Sequence, residues 1–309
     1  MIPLLLLLQK LMQMFAVMLL AFLVVKLNIV KSSDSFVLSK LSLYLLMPAT
    51  ILCAFDVEIT DQIKSGILLA FGIAIALHMV FLIIDLIYKK LYNGTKVERA
   101  SIMYSNAANL IIPIVSFVLG KEWVIYSCAF LSVQLFFLWT HGAHIFSNDN
   151  TINWKKILLN VNIIAILCGV LLMSFHLRLP TFIHDTASSL GDMLGTVGMI
   201  IAGMTMANVD FKTTIRNKRL YLVLLMRMIV VPLICVFLLR GILLLLHLPN
   251  AEKILLVSLL ACITPSASSV MQFAQIYKED DTFAVSVNVA TSLVSMITMP
   301  LFVWLYFLF

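Results

Sequence analysis

Apolar runs of about the length a helix needs to cross a bilayer succeed one another through the whole of this chain. Ten can be read, at roughly 2–25, 36–55, 63–88, 98–119, 122–145, 155–175, 184–208, 217–239, 252–275 and 282–308. Hydrocarbon offers the backbone no hydrogen-bond partners, so a spanning segment must be a helix or part of a closed barrel. Unbroken runs of this length are helical, since barrel strands are shorter and alternate. The pattern therefore predicts an all-α polytopic membrane protein. Composition agrees: 62% of the 309 residues are hydrophobic and 12% charged, against about half and a quarter in soluble domains. No polar stretch is long enough to build a soluble core.

The connections are short and carry turn and charge signals. They include Lys31-Ser32-Ser33-Asp34, Tyr92-Asn93-Gly94-Thr95, Ser147-Asn148-Asp149-Asn150 and Lys278-Glu279-Asp280-Asp281. Basic residues sort strongly between the two sides. With the N-terminus outside, the inner connections hold 14 of the 21 Lys and Arg, and the outer ones only Lys64, Lys121, Arg178, Arg240 and Lys253. By the positive-inside rule both termini are expected outside. The same clustering at run ends accounts for the net charge of +6, so nucleic acid is not an expected partner. No basic residue precedes the apolar stretch Met1–Leu8, and no small-x-small site follows it; a cleavable signal is not expected. Five runs per half is an odd number, so the second half enters from the opposite side and the halves are expected to be inverted repeats. Their bounds are 1–145 and 155–309, joined by a short inner connection, 146–154.

Two of the runs are interrupted by proline at matching places. The fourth reads Ser105-Asn106-Ala107-Ala108-Asn109-Leu110-Ile111-Ile112-Pro113, and the ninth Ala261-Cys262-Ile263-Thr264-Pro265-Ser266-Ala267-Ser268-Ser269. Pro265 follows Pro113 by 152 positions, and the same offset lays Asp56-Val57-Glu58 on Asn208-Val209-Asp210. A helix break survives in a membrane only where it faces protein or a water-filled cavity, and paired breaks in two halves point to a carrier's substrate site. Pro113 would free the carbonyl of Asn109, four residues back, so the breaks are expected at Pro113 and Pro265. Candidate substrate ligands are Asn106, Asn109, Gln134, Ser266, Ser268, Gln272 and Asn288. None of these groups titrates, which suits binding rather than acid–base catalysis. Packing and interhelical hydrogen bonding are the competing reading for each.

Ionisable residues inside the runs default to function. Asp192 and then Asp56 are the candidates for a proton- or cation-linked carboxylate. Arg227 either snorkels to the near face or attracts substrate anions. Asp85 is explained by an i, i+4 pair with Lys89, and Lys10 by the interface. His141 and His144 share a helix face but have no acidic or thiol neighbour in sequence, and read as interfacial histidines. Cys53, Cys128, Cys168, Cys235 and Cys262 stand singly in apolar runs and read as inert thiols. No metal site, catalytic residue or cofactor is expected.

These residues, taken together, resemble the auxin efflux carrier family, which includes the plant PIN carriers and short bacterial members. Asn106 with Pro113 seven residues later resembles the family's crossover in the fourth helix. Gln134, in Gln134-Leu135-Phe136-Phe137-Leu138-Trp139, resembles its pocket glutamine. Leu38 through Pro48 to Phe55 is similar to the second helix. Phe273-Ala274-Gln275-Ile276-Tyr277 and Ser292-Leu293-Val294-Ser295-Met296-Ile297-Thr298-Met299-Pro300 resemble the closing stretch. The resemblance implies ten helices in two inverted five-helix repeats with crossed, interrupted helices 4 and 9, in a bile-acid-symporter/NhaA-like architecture. It also implies a scaffold of helices 1, 2, 6 and 7, transport helices 3–5 and 8–10, and a homodimer. Two departures stand out. The long central loop of the plant carriers is absent, and their second crossover proline aligns nearer Val270 than Pro265.

The expected function is a secondary transporter exporting a small organic anion, a carboxylate such as malate, malonate or auxin, by alternating access across the cytoplasmic membrane. A sodium-coupled organic-anion symporter of bile-acid-transporter type is the alternative, and a membrane sensor a lower one. An intramembrane enzyme is disfavoured, because neither paired aspartates nor an H-E-x-x-H helix occurs.

Overall fold

The computed structural model describes residues 2–58, 60–147, 155, 158–246 and 248–308. The turn at Asn148-Asp149-Asn150, Lys156 and most of the connection 146–154 lie outside them. Among the described residues there is no strand, only one isolated antiparallel bridge between Ser105 and Ser266. Among the described residues seven helices are long and apolar enough to cross a membrane: α1 Leu4–Lys26, α2 Ser32–Phe55, α3 Asp61–Tyr92, α6 Lys121–Ser147, α8 Thr181–Met206, α9 Lys218–Leu245 and α12 Asp281–Leu308.

The other three runs take a different form. The fourth run divides into α4 Lys96–Met103 and α5 Ala107–Val118. The ninth divides into α10 Ala251–Cys262 and α11 Ser268–Ile276. The sixth is α7 Val161–Ser174, 14 residues long, shorter than the expected 155–175. Its start is set by Asn160, whose side chain accepts from the N–H groups of Asn162 and Ile163, as an N-cap should.

Local signals fix several other ends. Thr95 and Glu98 form a capping box at the start of α4, satisfying two otherwise orphaned donors. Asn93, with φ 48°, ends α3 in the left-handed region, which asparagine tolerates. Burial follows position. α1 turns Leu5, Met12, Leu20 and Leu23 outward, as a helix bordering lipid does. α10 is buried at every residue from Ile254 to Cys262 and forms the middle of the core.

Close helix packing depends on glycine in α8. A Cβ at Gly203 would lie 2.1 Å from the main-chain oxygen of Met18 on α1, whereas one at Gly241 would meet nothing within 4 Å. Small residues let membrane helices approach in this way. Gly203→Ala should therefore cost about 1–3 kcal/mol through overpacking, seen as a lowered melting temperature in detergent. Gly241→Ala should be neutral or slightly stabilising, because alanine is the better helix former.

Candidate functional site

The two helix breaks lie against each other and satisfy each other's backbone. Asn106 N–H donates to the carbonyl of Pro265 at 2.8 Å, and Ala267 N–H donates to the carbonyl of Tyr104 at 2.9 Å. The peptide groups between are held from neighbouring helices. Gln134 on α6 donates through Nε2 to the Ser105 carbonyl at 2.9 Å, and its Oε1 accepts from the Ser105 hydroxyl and, at 3.4 Å, from its N–H. On the other side Asn288 Nδ2 donates to the Ser266 carbonyl at 2.7 Å, and Thr291 Oγ1 accepts from Ser266 N–H at 3.1 Å. Both residues are on α12. Backbone that leaves a helix at membrane depth must find partners of this kind.

The break in the fourth run thus falls at Tyr104–Asn106, not at Pro113. Pro113 is the seventh residue of α5, inside a continuing helix, and an interior proline bends a membrane helix without ending it. Its ring packs on α8, where a Cβ at Gly195 would lie 2.7 Å from the proline Cβ. In the ninth run Pro265 is within the break, which spans 263–267, while Val270 is inside α11. The facing residues Ser105 and Ser266 are 161 positions apart, so the 152 offset between the prolines is not the register of the crossing.

Each half-helix has a positive N-terminal and a negative C-terminal end, and the crossing separates the two kinds. The C-terminal ends of α4 and α10 converge on Arg227 of α9. Its Nη1 donates to the Ile102 carbonyl at 3.1 Å, and its Nη2 donates to the carbonyls of Cys262 and Thr264 at 2.8 and 2.7 Å. The guanidinium is fully buried, which corrects the expectation that it snorkels. Arg227 stands in a π-helical turn, Met226–Val230, one of three among the described residues. The other two, Ser42–Leu46 and Leu138–Gly142, carry Ser42 and His141. Such turns often mark functional positions.

The N-terminal ends of α5 and α11 face the other way, into a cavity of about 670 Å³. Asn106, Asn109, Gln134, Ser268 and Gln272 line it, as does Ser42. Asn106 Oδ1 accepts from Asn109 Nδ2 at 3.2 Å and from the Ser268 hydroxyl at 3.4 Å, and Ser42 donates to Asn109 Oδ1 at 3.4 Å. A third helix N-terminus joins them: Asn160, Val161 and Asn162 at the start of α7 also line the cavity. Its described lining holds no carboxylate, and its one ionised side chain is Lys155. Ser266 and Asn288 are not part of the lining. Asn160, Asn162, Ser42 and Lys155 were not among the expected ligands, although Asn before an apolar run is a readable N-cap signal.

The carboxylate candidates lie elsewhere. Asp56, Asp192, Lys10, Lys121, His184 and Pro113 line a second cavity of about 480 Å³, beyond the other end of α5. Asp56 Oδ2 is 2.7 Å from His184 Nδ1, and its main-chain oxygen accepts from Arg178 Nη1 at 2.7 Å. Asp192 pairs with Lys121 at 3.2 Å, with side chains 64% and 67% exposed. Asp192 is therefore exposed on the surface of the protein rather than buried inside it. Exposed pairs contribute little, so Asp192→Asn should shift stability by less than about 0.5 kcal/mol, measured by thermal unfolding.

Asp85 is also re-assigned. Its partner is Arg99, whose Nε and Nη2 donate at 2.8 and 2.6 Å, and His141 Nε2 lies 3.4 Å away; Lys89 is not involved. Arg–carboxylate forks of this geometry are the stronger kind of pair.

Apolar helices enclosing crossed, broken half-helices and a polar cavity define a membrane transport protein. The chain belongs to the membrane transport protein family, that of the auxin efflux carriers, whose profile matches it over residues 6–153 and 149–303. That is a family of transporters, not of enzymes. No curated protein matches the chain.

Proposed function

We propose that the chain is a secondary carrier that exports a small organic anion across the cytoplasmic membrane by alternating access. One observation carries this reading: three helix N-termini open into one cavity whose described lining has a lysine and no carboxylate. Helix N-termini carry partial positive charge and together favour an anion, although at α7 the N–H groups of Asn162 and Ile163 are already taken by Asn160. The neutral amides and hydroxyls of Asn106, Asn109, Ser268 and Gln272 would orient it, with Gln134 shaping the floor. The cavity is within the size range of small-ligand sites. In this reading ten segments cross the membrane as two inverted repeats, both termini lie outside, and helices 3–5 and 8–10 move against a scaffold of 1, 2, 6 and 7. The homodimer of the family is carried over with it.

Malonate and malate test the proposal directly on purified protein. A ligand at 100 times its Kd stabilises the native state by about 2.7 kcal/mol, so binding is visible as a thermal shift. Asn106→Ala should weaken malonate binding at least tenfold while the unliganded protein stays folded. Stabilisation by organic cations and not by carboxylates would overturn the anion reading. A strict sodium requirement for uptake into proteoliposomes would favour the sodium-coupled symporter.

A further inference from the structure

Asn162 is the one side chain of the cavity wall, among the described residues, that is buried with its polar atoms unpaired. It is 1% exposed, and neither Nδ2 nor Oδ1 has a hydrogen-bond partner. Its main chain is already served, because the Asn160 side chain accepts from its N–H at 3.0 Å. At the crossing the polar groups answer one another instead: Asn106 accepts from Asn109 and Ser268, and Ser42 donates to Asn109. Asn162 stands in the first turn of α7, in the same wall as Lys155.

A buried amide without partners is costly, and a leucine of similar shape would pack there without that cost. Packing therefore gives no reason for asparagine at this place. A group of this kind calls for a partner from outside the chain, a ligand or a water. The amide itself states what the partner must offer. Nδ2 needs an acceptor and Oδ1 needs a donor. An ionised carboxylate only accepts, so a plain organic acid meets Nδ2 and leaves Oδ1 stranded. A hydroxyl beside the carboxylate supplies the missing donor. An ammonium group would donate as well, but three helix N-termini and Lys155 disfavour an added positive charge. The described lining also has no carboxylate to hold one.

We propose that Asn162 is a specificity residue of the cavity, selecting hydroxycarboxylates over the same acids without the hydroxyl. Nδ2 donates to a carboxylate oxygen and Oδ1 accepts from the hydroxyl, so both atoms are paired when the anion is bound. The end torsion of an asparagine is soft, so turning the amide from the wall toward the ligand costs little. The inference rests on the anion reading above and narrows its substrate class.

Malate and succinate differ by one hydroxyl and serve as the probes, read by thermal shift of the purified full-length protein. Malate should bind roughly tenfold tighter than succinate or better, since a site built to pair a hydroxyl rejects the analogue lacking it. Asn162→Leu should bring the two affinities within about twofold by loosening malate alone. Without ligand the leucine variant should melt at or above the wild-type temperature, because an unpaired amide has been removed. A variant that melts well below the wild type would show that the amide is already paired in the free protein, by a water or by the chain. That result overturns the proposal. Equal affinities for malate and succinate in the wild type overturn it too, and need no variant. They would leave the anion reading intact, whereas no binding of malate, succinate or malonate sinks both.

Discussion

Arg227→Met is expected to give the least stable folded variant of this protein, or none that survives purification. The change removes a fully buried charge, and that alone would be favourable, since desolvating an ion costs several kcal/mol. It also strands the carbonyls of Ile102, Cys262 and Thr264, which accept from the guanidinium at 2.7 to 3.1 Å. An unsatisfied buried acceptor costs about 1–3 kcal/mol, and these three are the negative ends of two half-helices pointing at one place. Three such acceptors put the loss at several kcal/mol, of which removing the buried charge gives part back. Arg227→Lys separates charge from geometry. The ammonium keeps the charge but lacks the planar fork that reaches carbonyls on two helices at once, so its melting temperature should fall between the other two. A methionine variant that melts with the wild type would show that the half-helix ends need no cap.

Much of the fold is legible in the sequence because hydrophobic length is a local property. Seven of the ten runs are single long helices, and the segment around Pro265 breaks where proline, serine and threonine cluster. The first break carries no such mark. Tyr104, Ser105 and Asn106 leave the helix because Pro265 and Ala267 offer them partners, and those partners are distant in the chain. Proline is the strongest local punctuation, so Pro113 draws attention that belongs nine residues earlier. Sequence proximity misleads at Asp85 in the same way: Lys89 is one turn along the helix, yet Arg99 returns from the next element with a two-bonded fork. Arg227 poses the same difficulty in sharper form. Its three acceptors come from two other helices, and nothing near it in sequence announces that a buried charge has somewhere to go. Polar residues of the cavity were found where they follow the breaks closely, as Asn106, Asn109 and Ser268 do. Those supplied by α2 and α7, Ser42 and Asn162, become visible only once the helices are packed.

Gln134→Leu separates the two roles open to that residue. As a ligand it would touch substrate, and leucine would weaken binding while leaving the unliganded protein as stable as before. In the structure both ends of its amide are engaged on Ser105, so leucine leaves that peptide's N–H and carbonyl unpaired in the core. Two such groups at about 1–3 kcal/mol each predict a loss of about 2–6 kcal/mol before any ligand is added. Asn288→Leu is the matched experiment, because Asn288 holds the Ser266 carbonyl on the facing break yet lies outside the cavity lining. If holding the crossing is what both amides do, both leucine variants should lose stability, Asn288→Leu less because Thr291 still accepts from Ser266 N–H. Malonate binding should weaken in each, since the N–H groups that face the anion are aimed by this backbone. Loss of binding in Gln134→Leu at unchanged melting temperature would return that residue to the substrate, and with it the view that the crossing is held by its backbone bridge and Arg227 alone.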